Sequence, residues 1–176
     1  MKINYLYLVL LAIYACSLVS VASELSGQET EQVKNTPISV EGAYIRSSIP
    51  GTTITSSYMK IENKGEKTVT LLGASSKISP QIEIHQHSMV DGMMRMRQVD
   101  SIDITAKQRI VLQPSGLHLM LFDIKKPLQE QQKVELILNF SNKPPVIIQV
   151  PVYSPLQEKR AQETGAHFTI EHTHHH

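Results

Sequence analysis

The chain has 176 residues, enough for one domain with appendages, and a domain of that size buries a hydrophobic core without needing disulfides. Lys and Arg number 17 against 16 Asp and Glu, a formal net charge of +1, so there is no positive surplus to neutralise a phosphate backbone and no nucleic-acid partner is expected. Apolar residues at 41% and charged residues at 19% describe a globular chain, while the single cysteine, Cys16, excludes an intramolecular disulfide, a CxxC redox centre and a four-cysteine zinc site.

Residues 1–22 contain Lys2, an apolar run over 5–15 and the small-x-small ending Ser20-Val21-Ala22, the pattern of an export signal peptide. Ser17 and Ser20 interrupt the apolar stretch and no cluster of Lys or Arg follows it. A permanent transmembrane helix is therefore the weaker reading, and the mature domain is expected to stay out of the membrane. Ile13-Tyr14-Ala15-Cys16 also resembles a bacterial lipoprotein cleavage box, with Tyr14 an awkward occupant, so lipid anchoring at Cys16 is the minor alternative. Residues 23–36 are polar and aperiodic, a flexible linker.

The folded domain is expected over 37–155. Short β-branched or alternating segments at 38–45, 54–61, 68–74, 81–89, 93–99, 108–112, 117–122, 133–140 and 146–152 predict about nine strands. Turn chemistry separates them at Pro50-Gly51, Asn63-Lys64-Gly65, Asp91-Gly92, Pro114-Ser115-Gly116 and Asn142-Lys143-Pro144-Pro145. The pattern suits an all-β sandwich or barrel with no long helix inside it. Residues 156–176 are polar, mildly helix-favouring over 157–165, and end in His172-Thr173-His174-His175-His176, a mobile His-rich tail. Such a tract binds Cu(II), Ni(II) or Zn(II) with little demand for prior structure. Thr173 interrupts it, unlike the unbroken run of an expression tag.

Among the seven Met and eight His residues, Met89, Met93, Met94, Met96, Met120, His85, His87 and His118 all fall between positions 85 and 120. Core packing explains methionine, which fills irregular gaps, but explains imidazoles poorly, because their nitrogens must find partners. Thioether and imidazole together suggest a soft metal. His118 and Met120 are two apart in Leu117-His118-Leu119-Met120-Leu121 and so face one side of a strand. Asp91-Gly92 is a hairpin signal; a two-residue loop there sets Val90 opposite Met93, Met89 opposite Met94 and His87 opposite Met96, with His85 diagonal to Met96. Two imidazoles and two thioethers, without carboxylate or thiolate, favour Cu(I) over zinc, magnesium or calcium, and a domain without cysteine cannot build a blue-copper site.

His85, Met96, His118 and Met120 are separated by ten, twenty-one and one residues. That spacing resembles the His-x10-Met-x21-His-x-Met signature of the periplasmic CuA copper chaperones, the PCu(A)C family. The likeness runs over residues 40–152 through Gly42-Ala43-Tyr44-Ile45-Arg46, Tyr58-Met59-Lys60-Ile61-Glu62-Asn63, Glu83-Ile84-His85, Gly92-Met93-Met94-Arg95-Met96-Arg97 and His118-Leu119-Met120-Leu121. The resemblance implies a cupredoxin-like Greek-key β fold, a periplasmic location and a Cu(I) site made by His85, Met96, His118 and Met120. It also implies delivery of copper for the CuA centre of cytochrome c oxidase, with that oxidase subunit and Sco-like thiol proteins as partners. His87 stands where many relatives carry Met and is an auxiliary candidate, as are Met89 and Met94; Leu117 replaces an expected Tyr.

The function expected is thus copper carriage by a monomer, with Cu(II) capture by His172, His174, His175 and His176 as an added role for the tail. The alternative is sequestration of copper without a dedicated acceptor. No nucleophile elbow, HExxH or dinucleotide loop is present, and nothing pairs a nucleophile with a base, so catalysis is not expected.

Overall fold

A computed structural model describes residues 37–90, 92–141 and 143–163. The expected signal peptide, the linker and His172, His174, His175 and His176 lie outside the described residues. Each of the nine anticipated segments forms a strand: β1 (Ile38–Arg46), β2 (Thr55–Asn63), β3 (Val69–Ser75), β4 (Gln81–Val90), β5 (Met93–Val99), β7 (Arg109–Leu112), β8 (Leu117–Phe122), β9 (Lys133–Phe140) and β10 (Val146–Tyr153). A tenth, β6 (Ile102–Ile104), pairs with β3 and is too short for its two isoleucines to announce a period. Buried Asn63 fixes it by donating from Nδ2 to the Ile104 carbonyl at 2.9 Å and to the Lys67 carbonyl at 2.8 Å.

The ten strands form one hydrogen-bonded sheet in the order β5-β4-β8-β7-β2-β1-β10-β9-β3-β6. Its two halves share a single core, to which Ile45, Met59 and Ile61 contribute from one side and Leu71, Leu136, Leu138 and Val150 from the other. Alternation assigns the remaining face. On β8, Leu119 and Leu121 are buried in the core, so His118, Met120 and Phe122 point away from it.

A β-bulge decides what shares that outer face. On β1, Val40 sits opposite Ile61, but Tyr44 rather than Ala43 sits opposite Tyr58, so one extra residue is inserted near Gly42. Gly42 has φ 59°, a left-handed conformation that suits glycine. Beyond it the inward residue changes from even to odd, Ile45 enters the core, and Tyr44 and Arg46 turn outward.

The tail expectation needs correction over its first part. Residues Pro155–Glu163 form a helix, α1, which is packed against the domain through buried Glu158. Ser154 caps it, its Oγ accepting from the Gln157 amide at 3.4 Å while the Gln157 side-chain oxygen accepts from the Ser154 amide at 2.9 Å. The Glu158 carboxylate accepts from Tyr44 Oη at 2.9 Å and from Arg46 Nε and Nη2, each at 2.7 Å. A boundary at residue 155 therefore severs part of the folded unit.

Candidate metal centre

The site is assembled from three adjacent strands on the outer face. His85 on β4 lies directly opposite His118 on β8, and the ring centroids are 6.1 Å apart. The β4–β5 hairpin has the register expected from Asp91-Gly92: Val90 faces Met93, Met89 faces Met94 and His87 faces Met96. Met120 lies opposite Glu83 on β4, one step along the strand pair from the two histidines. His87 stacks on His118 at 5.0 Å, which brings a third imidazole to the site.

Both motif imidazoles are oriented by hydrogen bonds. His118 Nδ1 lies 3.0 Å from the Gly116 carbonyl, which only accepts, so Nδ1 carries the proton and the lone pair is left on Nε2. His85 Nε2 lies 2.6 Å from Glu83 Oε2; donation to this carboxylate leaves the lone pair on Nδ1, which is buried and has no hydrogen-bond partner. His87 Nδ1 is likewise buried without a partner. Buried nitrogens without partners are uncommon and costly, and a metal satisfies a lone pair as a hydrogen bond does. The donor set therefore fits a soft ion. Among the described residues, no three His, Cys, Asp or Glu side chains are placed to hold a metal by themselves, so coordination here has to draw on the thioethers.

Glu83 was not anticipated as part of the site, where no carboxylate was expected. Positions 83 and 85 share one face of a strand, and that two-residue spacing was the available signal. Its carboxyl is held below its ordinary pKa, chiefly by the His85 hydrogen bond and then by Gln81. Also unforeseen is the aromatic support behind His118. Buried Tyr58 lies 6.2 Å from the His118 ring and carries the Arg46 guanidinium 5.0 Å above its own ring, while Tyr44 lies 5.1 Å from Tyr58. Glu158 closes this row from 114 residues away in sequence, beyond any local pattern.

Burial pushes the His118 imidazole below its ordinary pKa of 6.5, against the Gly116 bond, which favours the charged form; His87, His85 and Arg46 add to the downward push. The unfolded imidazole takes up a proton as pH falls through 6.5, whereas the folded one stays neutral. Stability contributed by neutral His118 is thus present above that pH and is lost as pH falls toward the folded pKa. The melting temperature of the metal-free protein is expected to decline as pH falls below the ordinary imidazole pKa of 6.5, and His118→Gln to flatten that slope. A slope unchanged in the variant excludes His118 as its source.

Residues 38–152 match the family described as putative lipoprotein LpqE-like. The chain belongs to the LpqE-like family. The matched region runs from β1 through β10 and stops short of α1. A relative described as putative lipoprotein Lxx21020, from Leifsonia xyli subsp. xyli (strain CTCB07), is 26% identical over 146 residues, covering 82% of this chain and 84% of its own. Among solved structures, the copper-bound PCuAC domain from PmoF2 is 24% identical with a TM-score of 0.58, over 68% of this chain and 94% of that one. The solution structure of CuI-DR1885 from Deinococcus radiodurans is 25% identical with a TM-score of 0.58, over 71% of this chain and 84% of that one. These likenesses place the LpqE-like domain in the cupredoxin-like β fold of PCuAC domains, as the sequence resemblance implied.

Proposed function

We propose that this LpqE-like protein is an exported copper chaperone that binds one Cu(I) through His85, Met96, His118 and Met120 and surrenders it by ligand exchange. The observation that carries the reading is the opposition of His85 and His118 on the face that also bears Met96 and Met120, with each motif histidine's second nitrogen already engaged. Copper-bound forms of two similarly folded domains support it. Neutral donors release an ion readily to an incoming thiolate, which is the stronger ligand for Cu(I). On this reading the protein binds and transfers and is not an enzyme.

The acceptor implied by the family resemblance is the CuA subunit of cytochrome c oxidase, with Sco-like proteins as co-workers, and the compartment is the periplasm. An anaerobic Cu(I) titration of the full chain against a chromogenic chelator tests the site. One tight equivalent is expected, weakened by each of His85→Ala, Met96→Ala, His118→Ala and Met120→Ala; equal binding by all four variants rejects it. Copper passing to a metal-free CuA domain faster than to the chelator supports a dedicated acceptor, and equal rates favour sequestration. The lipoprotein descriptions of the family and its relative favour a second reading of the N-terminal segment, in which Cys16 is lipidated after cleavage. The intact mass of the mature protein separates the two: a lipidated chain starting at Cys16, or an unmodified one starting beyond it.

A further inference from the structure

We propose that Met89 and Met94 form a second, outer Cu(I) site at the tip of the β4–β5 hairpin, through which copper reaches and leaves the inner ligands by way of His87 and Met96. The inference rests on the Cu(I) reading above and extends it to a route.

The register lays the donors out in successive rows on one face. Met89 is paired with Met94, the next row pairs His87 with Met96, and the row after it holds His85, whose other neighbour is His118. Exposure falls along the same direction: 68% at Met89, 58% at Met94, 46% at Met96 and 2% at His118. Met93 is also exposed at 55%, but it pairs with Val90 and belongs to the opposite face, so it lies outside this row of donors. Soluble proteins place large apolar side chains on an edge strand at a cost in solubility, and β5 is the edge of the sheet. Thioethers in that position gain a purpose if they bind a soft ion.

His87 links the two ends. Its Nδ1 is buried without a hydrogen-bond partner, and its ring lies 5.0 Å from that of His118. An unpaired buried nitrogen between an exposed thioether pair and the pair formed by half-buried His85 and buried His118 is placed to accept the ion in transit. Each step exchanges one neutral donor for another: a thioether leaves the ion as an imidazole joins it, the charge on the ion is unchanged, and no electron or proton moves. Two thioethers alone bind more weakly than the mixed inner set, so the outer site fills second at equilibrium although it is met first in time.

Methyl-13C-labelled methionine in the full chain, titrated anaerobically with Cu(I), gives each methionine its own signal; histidines elsewhere in the chain carry no label and do not report. Met96 and Met120 are expected to respond first, Met89 and Met94 next, with Met93 and the core residue Met59 silent. A Met89→Leu/Met94→Leu variant, conservative and exposed, is expected to keep the inner affinity while loading and release each slow about tenfold. Silence at Met89 and Met94 with Met96 and Met120 responding, or wild-type rates in the variant, overturns the outer site and leaves the carrier intact. Silence at Met96 and Met120 overturns the carrier reading and the outer site with it.

Discussion

His118→Ala is expected to lower Cu(I) affinity by more than about a hundredfold, beyond the range typical of losing a partner that merely supports a ligand. Three features make this the most damaging change in the site. The residue is 2% exposed, so no nearby water takes over its position. Its Nδ1–H is fixed on the Gly116 carbonyl, and Nε2 is therefore already the nitrogen with the lone pair, without tautomer exchange or ring rotation. Its ring also orders the site mechanically, touching His87 and Tyr58 through ring contacts at 5.0 and 6.2 Å. Met96→Ala is expected to cost less, about tenfold, because Met96 is 46% exposed on an edge strand and Met94 stands two positions away on the same face. Competition titration of both variants measures the order, with urea unfolding run alongside to establish that each is folded. An affinity for His118→Ala within about threefold of the parent removes His118 from the ligand set.

Glu158→Ala is expected to destabilise the metal-free protein by about 2–3 kcal/mol, a large loss for a change outside the hydrophobic core. The carboxylate accepts three hydrogen bonds from two residues, and its removal takes away the acceptor of both the Tyr44 hydroxyl and the Arg46 fork. The Arg46 side chain is 44% exposed and recovers water, which keeps the cost below that of a fully buried ion pair. Glu158→Gln preserves the shape and part of the hydrogen bonding and is expected to lose about half as much. Midpoints of urea unfolding at constant slope give these differences directly. A Glu158→Ala midpoint equal to the parent's shows that α1 contributes nothing to the domain. Cu(I) affinity is expected to change far less than stability, since Glu158 reaches His118 only through Tyr44, Arg46 and Tyr58.

Local chemistry was enough to read the hairpin. Asp91-Gly92 names its own turn, and with the loop length set, the pairing of Val90 through His87 with Met93 through Met96 follows by counting. His118 and Met120 were legible as face-sharing residues for the same reason, a period of two. The direct opposition of His85 and His118 was not, because β4 and β8 are separated by the whole of β5, β6 and β7, and nothing local sets their register. Glu83 was visible as a neighbour of His85 but not as its hydrogen-bond acceptor. The helix at Pro155–Glu163 was legible as a mild helical preference over residues 157–165 but not as a docked element: a segment rich in Gln, Glu, Lys and Arg looks like a solvated tail until Arg46 and buried Tyr44, both on β1, give one of its acids a place to go.

The bulge at Gly42 acts as a change of phase in the code that tells inside from outside. Before it, even-numbered residues of β1 serve the shared core; after it, even-numbered residues serve the aromatic row behind His118. No side-chain substitution elsewhere in the strand reproduces that change, because substitution alters what a position carries and never which way it points. A regular strand that kept Gly42 in its ladder would run in one phase throughout, sending Tyr44 and Arg46 toward the core and Ile45 toward Glu158. One strand thereby belongs to two structural neighbourhoods, and the join between them is one glycine long.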